Sequence, residues 1–262
     1  MTTVRAPAVA GTFYPNNPRQ LHTQIQDFLA HVAPNGPVPK AIIAPHAGYI
    51  FSGPIAASAY AHLQAAKDTI QRVVLLGPSH RVGFRGIAVS HMDAFDTPLG
   101  RILVDQEAIA QIRDLPQVGF LETAHAQEHS LEVHLPFLQE VLGEFKLVPL
   151  VVGEATPEEV GAVLEALWGG PETLIVISSD LSHYHDYQTA KRLDAATSQA
   201  IEALRYEDIG YEDACGRNPV NGLLWVAQRK GLQCRTIDLR NSGDTAGPRD
   251  QVVGYGAYVI SE

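Results

Sequence analysis

Six short apolar runs, rich in β-branched residues and separated by stretches of helical period, constrain the fold of this chain most. They are Ala41–Ala44 and residues 72–76, 86–90, 147–152, 174–178 and 251–259. Runs of this length and composition read as buried strands. Between them, residues 54–63 are Ala-rich, and residues 106–113 and 131–142 are amphipathic. Residues 156–167 open on Thr156-Pro157-Glu158-Glu159, an N-cap followed by proline at the first helical position. Residues 187–204 and 218–230 complete the helical candidates, the second starting from Asn218-Pro219. Strands alternating with helices predict an α/β protein, one domain over residues 1–262 with a central mixed sheet flanked by helices. No internal repeat or linker-like shift in composition divides the chain, and residues 241–250, "NSGDTAGPRD", read as a polar loop.

Charge narrows the function. The formal net charge is −10, with no basic cluster to offset it. Such a chain repels nucleic acid and anionic lipid, so neither is an expected partner. No apolar stretch approaches the length of a membrane span, and the opening "MTTVRAPAVAGTFYP" lacks the apolar segment of a signal peptide. Only Cys215 and Cys234 are present, so no disulfide framework is expected, and a cytoplasmic location fits best.

In open α/β sheets, ligands bind beyond the carboxyl ends of the strands. Three runs end in polar, chemistry-bearing residues. "AIIAPH" ends at His46, "VVLLGPSH" at His80, and "LIVISSDLSHYH" carries Ser178, Asp180, His183 and His185. If these strands are parallel and adjacent, their ends converge on one crevice. Neutral imidazole is a common ligand for iron, copper and zinc, so His46 and His80 are candidate ligands. Gly48 and Gly77 are expected to let the backbone bend beside them. The third ligand is open among Asp180, His183, Glu128, His129 and Cys215. Cys215 lies in "DACGRNP", where the neighbouring Arg217 favours thiolate, although free cysteine is often only a small buried hydrophobe. Cys234 reads as a strand position. Asp180 and His183, three residues apart, are expected to share a turn and pair, orienting the imidazole as a base.

"HAQEH", His125 to His129, formally matches the H-x-x-E-H zinc-protease pattern. That pattern requires one helix carrying both histidines. Ser130 reads as a helix start that leaves both ahead of it, so Glu128 and His129 are expected as loop residues of the crevice, with His134 on the following helix. Dinucleotide, phosphate-loop and hydrolase-elbow motifs are absent.

Taken in order, "AGTFYP", "IIAPHAGYIFSG", "LLGPSH", "EHSLEVHLPFL", "VPLVVG", "ISSDLSHY" and "CGRNPVNGLL" resemble the Memo family, whose prokaryotic members are called AmmeMemoRadiSam system protein B. The resemblance implies a fold related to LigB-type class III extradiol dioxygenases. It implies His46, His80 and Cys215 as ligands of one transition-metal ion, Fe(II), Cu or Zn, with Asp180 and His183 lining the same pocket as catalytic groups. It further implies an AMMECR-type protein and a radical SAM protein as partners. Animal relatives are linked to peptide binding and to redox activity. Phe13 stands here where they carry Trp, and Phe51 where they carry Tyr. The leading expectation is therefore a metal-dependent redox protein or oxygenase-like enzyme. The alternative is a non-enzymatic module binding a peptide or a partner protein in the same pocket, with the aromatic set Phe13, Tyr14, Tyr49 and Phe51 as its support; the pocket's own ligand is expected to be an unidentified small molecule or peptide. A metallohydrolase built on "HAQEH" is the third reading.

Overall fold

The structure, a computed structural model, describes residues 2–262. The chain opens with β1 (Val4–Arg5), α1 (Pro18–Ala30), β2 (Ala41–Ala44), α2 (Tyr49–Tyr60), β3 (Arg72–Pro78) and β4 (Ile87–Val89). There follow β5 (Ala94–Thr97), β6 (Gly100–Val104), α3 (Gln106–Ile112), β7 (Val118–Phe120), α4 (Glu122–Ala126), α5 (Leu135–Leu142) and β8 (Lys146–Val152). The rest comprises α6 (Pro157–Ala166), β9 (Thr173–Ser178), β10 (His183–His185), α7 (Tyr187–Glu202), α8 (Arg217–Lys230), β11 (Gln233–Asn241) and β12 (Val252–Ser261).

All twelve strands belong to one mixed sheet. Its centre is the parallel set β8, β3, β9, β2, in that spatial order. These strands are buried almost throughout, which explains their unbroken apolar runs. On one side, β6 continues the sheet in parallel and pairs antiparallel with β5. On the other, β12 runs antiparallel to β2 and carries β10 and β11 on it. Helices α1, α2 and α5 pack on one another, while α3, α6 and α8 form a second group, so helices flank the sheet as expected.

Helix starts follow local chemistry. Thr156 and Glu159 form a capping box at α6, as its sequence predicts. Helix α1, which the apolar pattern leaves unannounced, begins where the Asn17 side chain accepts from Arg19 N and Gln20 N, with Pro18 at the first position. Two boundaries differ from expectation. The helix expected over residues 54–63 begins at Tyr49 and carries Pro54 inside it, then tightens into a 3-10 segment over Ala61–Ala66. Burial of Tyr49, Gly53, Ile55 and Ala56 against the core outweighs the hydrogen bond that Pro54 forgoes. The helix expected from Ser130 onward starts later, as a 3-10 turn over Glu132–His134 followed by α5. Ser130 does not cap it, because its hydroxyl donates to Pro78 O at 2.8 Å. Among the described residues, no helix is long and apolar enough to cross a membrane.

Candidate metal centre

Strand β9 lies between β3 and β2, and the register sets Ala44 beside Ser178 and Leu76 beside Ile177. The three strands therefore end level. His46 follows β2 by two residues, His80 follows β3 by two, and Asp180 follows β9 by two. The fourth segment is the turn before α8, which carries Cys215. It approaches closely because residue 216 is glycine. A Cβ there would lie 2.4 Å from Ser178 O and 2.6 Å from Ser179 Cβ. Gly77 has the same role rather than the expected bend: a Cβ would lie 2.7 Å from Ser130 Oγ and 2.9 Å from Leu131 Cδ2. Both glycines let a neighbouring segment press onto a strand end.

The result is a cluster. One ligand atom from each of His46, His80 and Cys215 lies within 4.8 Å of the others. Cys215 Sγ is 3.4 Å from His46 Nε2, and the two histidine rings meet edge to face with centroids 5.0 Å apart. His46 is buried, Cys215 partly buried and His80 exposed, so the cluster opens to solvent on the His80 side.

The surrounding hydrogen bonds decide which nitrogens are free. Ser178 has one hydroxyl proton, which it donates to Ser130 O at 2.6 Å, a group that can only accept. The 2.6 Å contact between Ser178 Oγ and His46 Nδ1 must then be donated by the imidazole. This places the proton on Nδ1 and leaves the Nε2 lone pair facing Cys215. His80 is set in the same way. Its Nδ1 lies 2.8 Å from Glu128 Oε1 and donates to that carboxylate, so its Nε2 is also free. Histidines fixed by an acceptor on the far nitrogen are arranged as metal ligands are.

Glu128 is a holder of this loop. Its two oxygens accept from the backbone N–H of His80, His129 and Ser130 as well as from the His80 ring. Burial opposes its ionisation, but these hydrogen bonds and the His80 ring outweigh burial and hold the carboxyl down at about 2. A second set of closely spaced donors, His80, Glu128 and His129, exists. Using Glu128 as a ligand there would break bonds it already makes, so His46, His80 and Cys215 form the better-prepared set.

Asp180 and His183 reach the site differently from expectation. They make no hydrogen bond to each other among the described contacts. Asp180 Oδ1 instead accepts from His46 N at 2.8 Å, and Oδ2 lies 3.8 Å from His46 Nε2. The next helix is capped by Asp186, not Asp180. Burial raises the Asp180 carboxyl to about 7 despite the donors from His46 and Ala47. His183 starts β10, and burial lowers its imidazole, keeping it neutral. Cys215 also departs from expectation. Burial and the neighbouring Asp180 push its thiol upward. Arg217 is spent elsewhere, its guanidinium lying 3.5 Å from the centre of the Tyr211 ring.

Of the aromatic set, Phe13 packs on His129 with centroids 4.6 Å apart, and His129 in turn stacks on His80 at 4.5 Å. Phe51 is partly buried beside Gly48. Tyr14 and Tyr49 are core residues, not pocket lining. They are buried and donate to Glu132 Oε1 at 2.7 Å and Val133 O at 2.6 Å. The H-x-x-E-H reading fails on geometry, since His125 sits on α4 with Nε2 donating to Ala88 O at 2.9 Å. Two residues unweighed in the sequence anchor the site loop. Buried Arg5 donates to His125 O, Glu128 O and Glu132 Oε2, each at 2.8 Å. Glu132 also accepts from Ala8 N and Val9 N. A carboxylate inside the apolar run "SLEVHLPFL" is the one sequence signal of this network.

The fold and site define an α/β protein with a His/His/Cys cluster at adjoining strand ends. A family profile described as Memo-like protein matches residues 5–259. A MEMO1 family protein of Aquifex aeolicus (strain VF5) is 38% identical over 267 residues, covering 96% of this chain and 97% of that protein. Another from Sulfolobus acidocaldarius is 34% identical over 279 residues, with the same coverage. The chain belongs to the Memo-like family.

Proposed function

We propose that the cluster binds one transition-metal ion through His46 Nε2, His80 Nε2 and Cys215 Sγ, and that the protein is a metal-dependent redox or oxygenase-like enzyme. The observation carrying this reading is the pair of proton placements by Ser178 and Glu128, which bare two imidazole lone pairs toward one thiol. Iron or copper fits best, and zinc shares the donor preference. Such an ion, held by three protein donors, would supply open positions for a substrate and an oxidant, and a thiolate donor would alter its redox behaviour relative to a carboxylate.

The chain's own groups then have definite tasks. The Cys215 proton must leave when the thiol becomes a ligand, so metal uptake strengthens as pH rises. Burial favours the protonated form of Asp180, whose Oδ2 lies beside His46. Neutral His183 can accept one from a bound substrate. Phe13 and His129 wall the open side. The AMMECR-type and radical SAM partners belong to the same proposal, and co-purification tests them.

Metal analysis of protein purified without oxygen tests the centre. One equivalent is expected in the wild type, with loss in both His46→Ala and Cys215→Ala. Unchanged stoichiometric metal in both variants would overturn the assignment.

A further inference from the structure

Helix α7 carries an acid where its period calls for an apolar residue. It turns Ala190, Asp194, Thr197, Ser198 and Ile201 inward, and Asp194 is 2% exposed. The Asp194 Oδ1 accepts from Ser182 N at 3.0 Å. The carboxyl fits there because residue 254, on β12, is glycine. A Cβ at that position would lie within 2.6 Å of the carboxyl carbon and both its oxygens. Burial raises the carboxyl to about 6, against the hydrogen bonds from Ser182 and the charge of His185. Burying a carboxyl without a cationic partner is costly. Packing alone would be served as well by an apolar side chain of the same shape.

Ser182 belongs to the segment that borders the metal cluster. At its start, Ser179 N donates to Ala44 O at 3.0 Å, Ser179 Oγ accepts from Gly216 N at 3.0 Å, and Asp180 Oδ1 accepts from His46 N at 2.8 Å. Further on, Leu181 N donates to Gly254 O and Gly254 N to Ser182 O, both at 2.8 Å. His183 comes next, close enough for its charge to bear on His46 and His80. Tyr184 follows with φ +63°, a left-handed conformation that bulky side chains rarely adopt. It is the extra residue of a bulge, since His183 pairs with Val253 and His185 with Val252. Two costly features thus bracket His183: a buried carboxyl bonded to the residue before it, and a strained backbone in the residue after it. Such costs persist where the surrounding structure fixes a functional geometry.

We infer that Asp194 is a positioning residue: through Ser182 N it fixes the segment that presents Asp180 and His183 to the cluster of His46, His80 and Cys215. The purpose of this brace rests on the metal-centre reading above, but the placement of His183 is a property of the metal-free protein. Asp194 acts through the backbone alone. What it supplies is an acceptor oxygen, which a neutral amide also carries.

The test compares Asp194→Leu, which keeps the side chain's shape and removes the acceptor, with Asp194→Asn, which keeps the acceptor. In the metal-free protein, the His183 ring resonance, assigned through His183→Gln and read by NMR, should move in the leucine variant and return to the wild-type position in the asparagine variant. Co(II) affinity, measured by competition with a chelating dye, should fall about tenfold in the leucine variant and stay within about threefold of wild type in the asparagine variant. Melting curves of the metal-free variants check the fold, and Asp194→Ala carries the same expectation should leucine not be accommodated. An unmoved ring resonance or an unchanged Co(II) affinity in a folded variant lacking the acceptor overturns the proposal. So does an asparagine variant displaced as far as the leucine one. If the wild type takes up no Co(II), the metal-centre reading fails, and the ring resonance alone still decides whether Asp194 places His183.

Discussion

At the scale of residues, the site depends on where single protons sit. Ser178→Ala removes the acceptor that keeps the His46 proton on Nδ1. It is expected to weaken metal binding about 10–100-fold, measured by competition against a chelating dye. Affinity equal to the wild type would show that Ser178 does not set the tautomer. Asp180 offers a test by pH. Burial raises its folded-state value to about 7 from an ordinary 3.8. The native protein thus keeps a proton that the unfolded chain releases. The associated stability is full below the ordinary value and is lost as pH rises through about 7. Subtracting Asp180→Asn from wild type, both metal-free, should give urea-unfolding free energies that fall by up to about 1.4 kcal/mol per pH unit across this window. A flat difference would remove Asp180 from the list of groups protonated near neutrality. His46 and His80 were legible as candidates because each ends an apolar run behind a proline. Ser178 and Ser130 were not legible as a relay, because their bond joins residues far apart in the chain and serine is common at such positions.

Elements place these residues. The three strands β2, β3 and β9 were readable from continuous β-branched runs, since strands buried on both faces leave no alternation to confuse the pattern, but their order and parallel pairing were not. The strand end of "LIVISS" was readable too, but not the bulge of β10, which arises from pairing with β12. The short strands β1, β5 and β6 were missed because β6 mixes exposed with buried positions, β5 is four residues without a β-branched run, and β1 has only two residues. Close approach at Gly216 makes an element-level prediction. Gly216→Ala puts a methyl group into Ser178 O, so the turn carrying Cys215 must back away from β9. Destabilisation of about 1–3 kcal/mol is expected, with weakened metal binding. Thermal unfolding and dye competition on the same sample would check both, and a variant with unchanged affinity would show that the turn has room to adjust.

For the whole molecule, Arg5 links strand β1 to the site loop through its bonds to residues 125, 128 and 132. Arg5→Met leaves Glu132 buried without its cation. A loss of about 3–5 kcal/mol is expected, readable as a lower urea midpoint, and a midpoint equal to wild type would contradict the buried-pair account. Acid acts on the entire core through His125, His129 and His134. Burial lowers these to about 4, about 4 and about 3. They are neutral in the native state and take up protons on unfolding below about 6.5. Stability they contribute is full above that value and drains as pH falls toward 4, at up to about 1.4 kcal/mol per pH unit for each. Unfolding curves across pH 4–7 should show this against the opposing Asp180 trend, and His134→Gln should reduce it. The ordering of β2, β9 and β3 has a consequence in time. The strand that sits in the middle comes last of the three in the chain, so His46 and His80 cannot be brought level until β9 has been inserted between their strands. A metal ion added during refolding should therefore leave the early kinetic phases unchanged and accelerate nothing before the sheet closes, which makes the centre a reporter of completed folding rather than its nucleus.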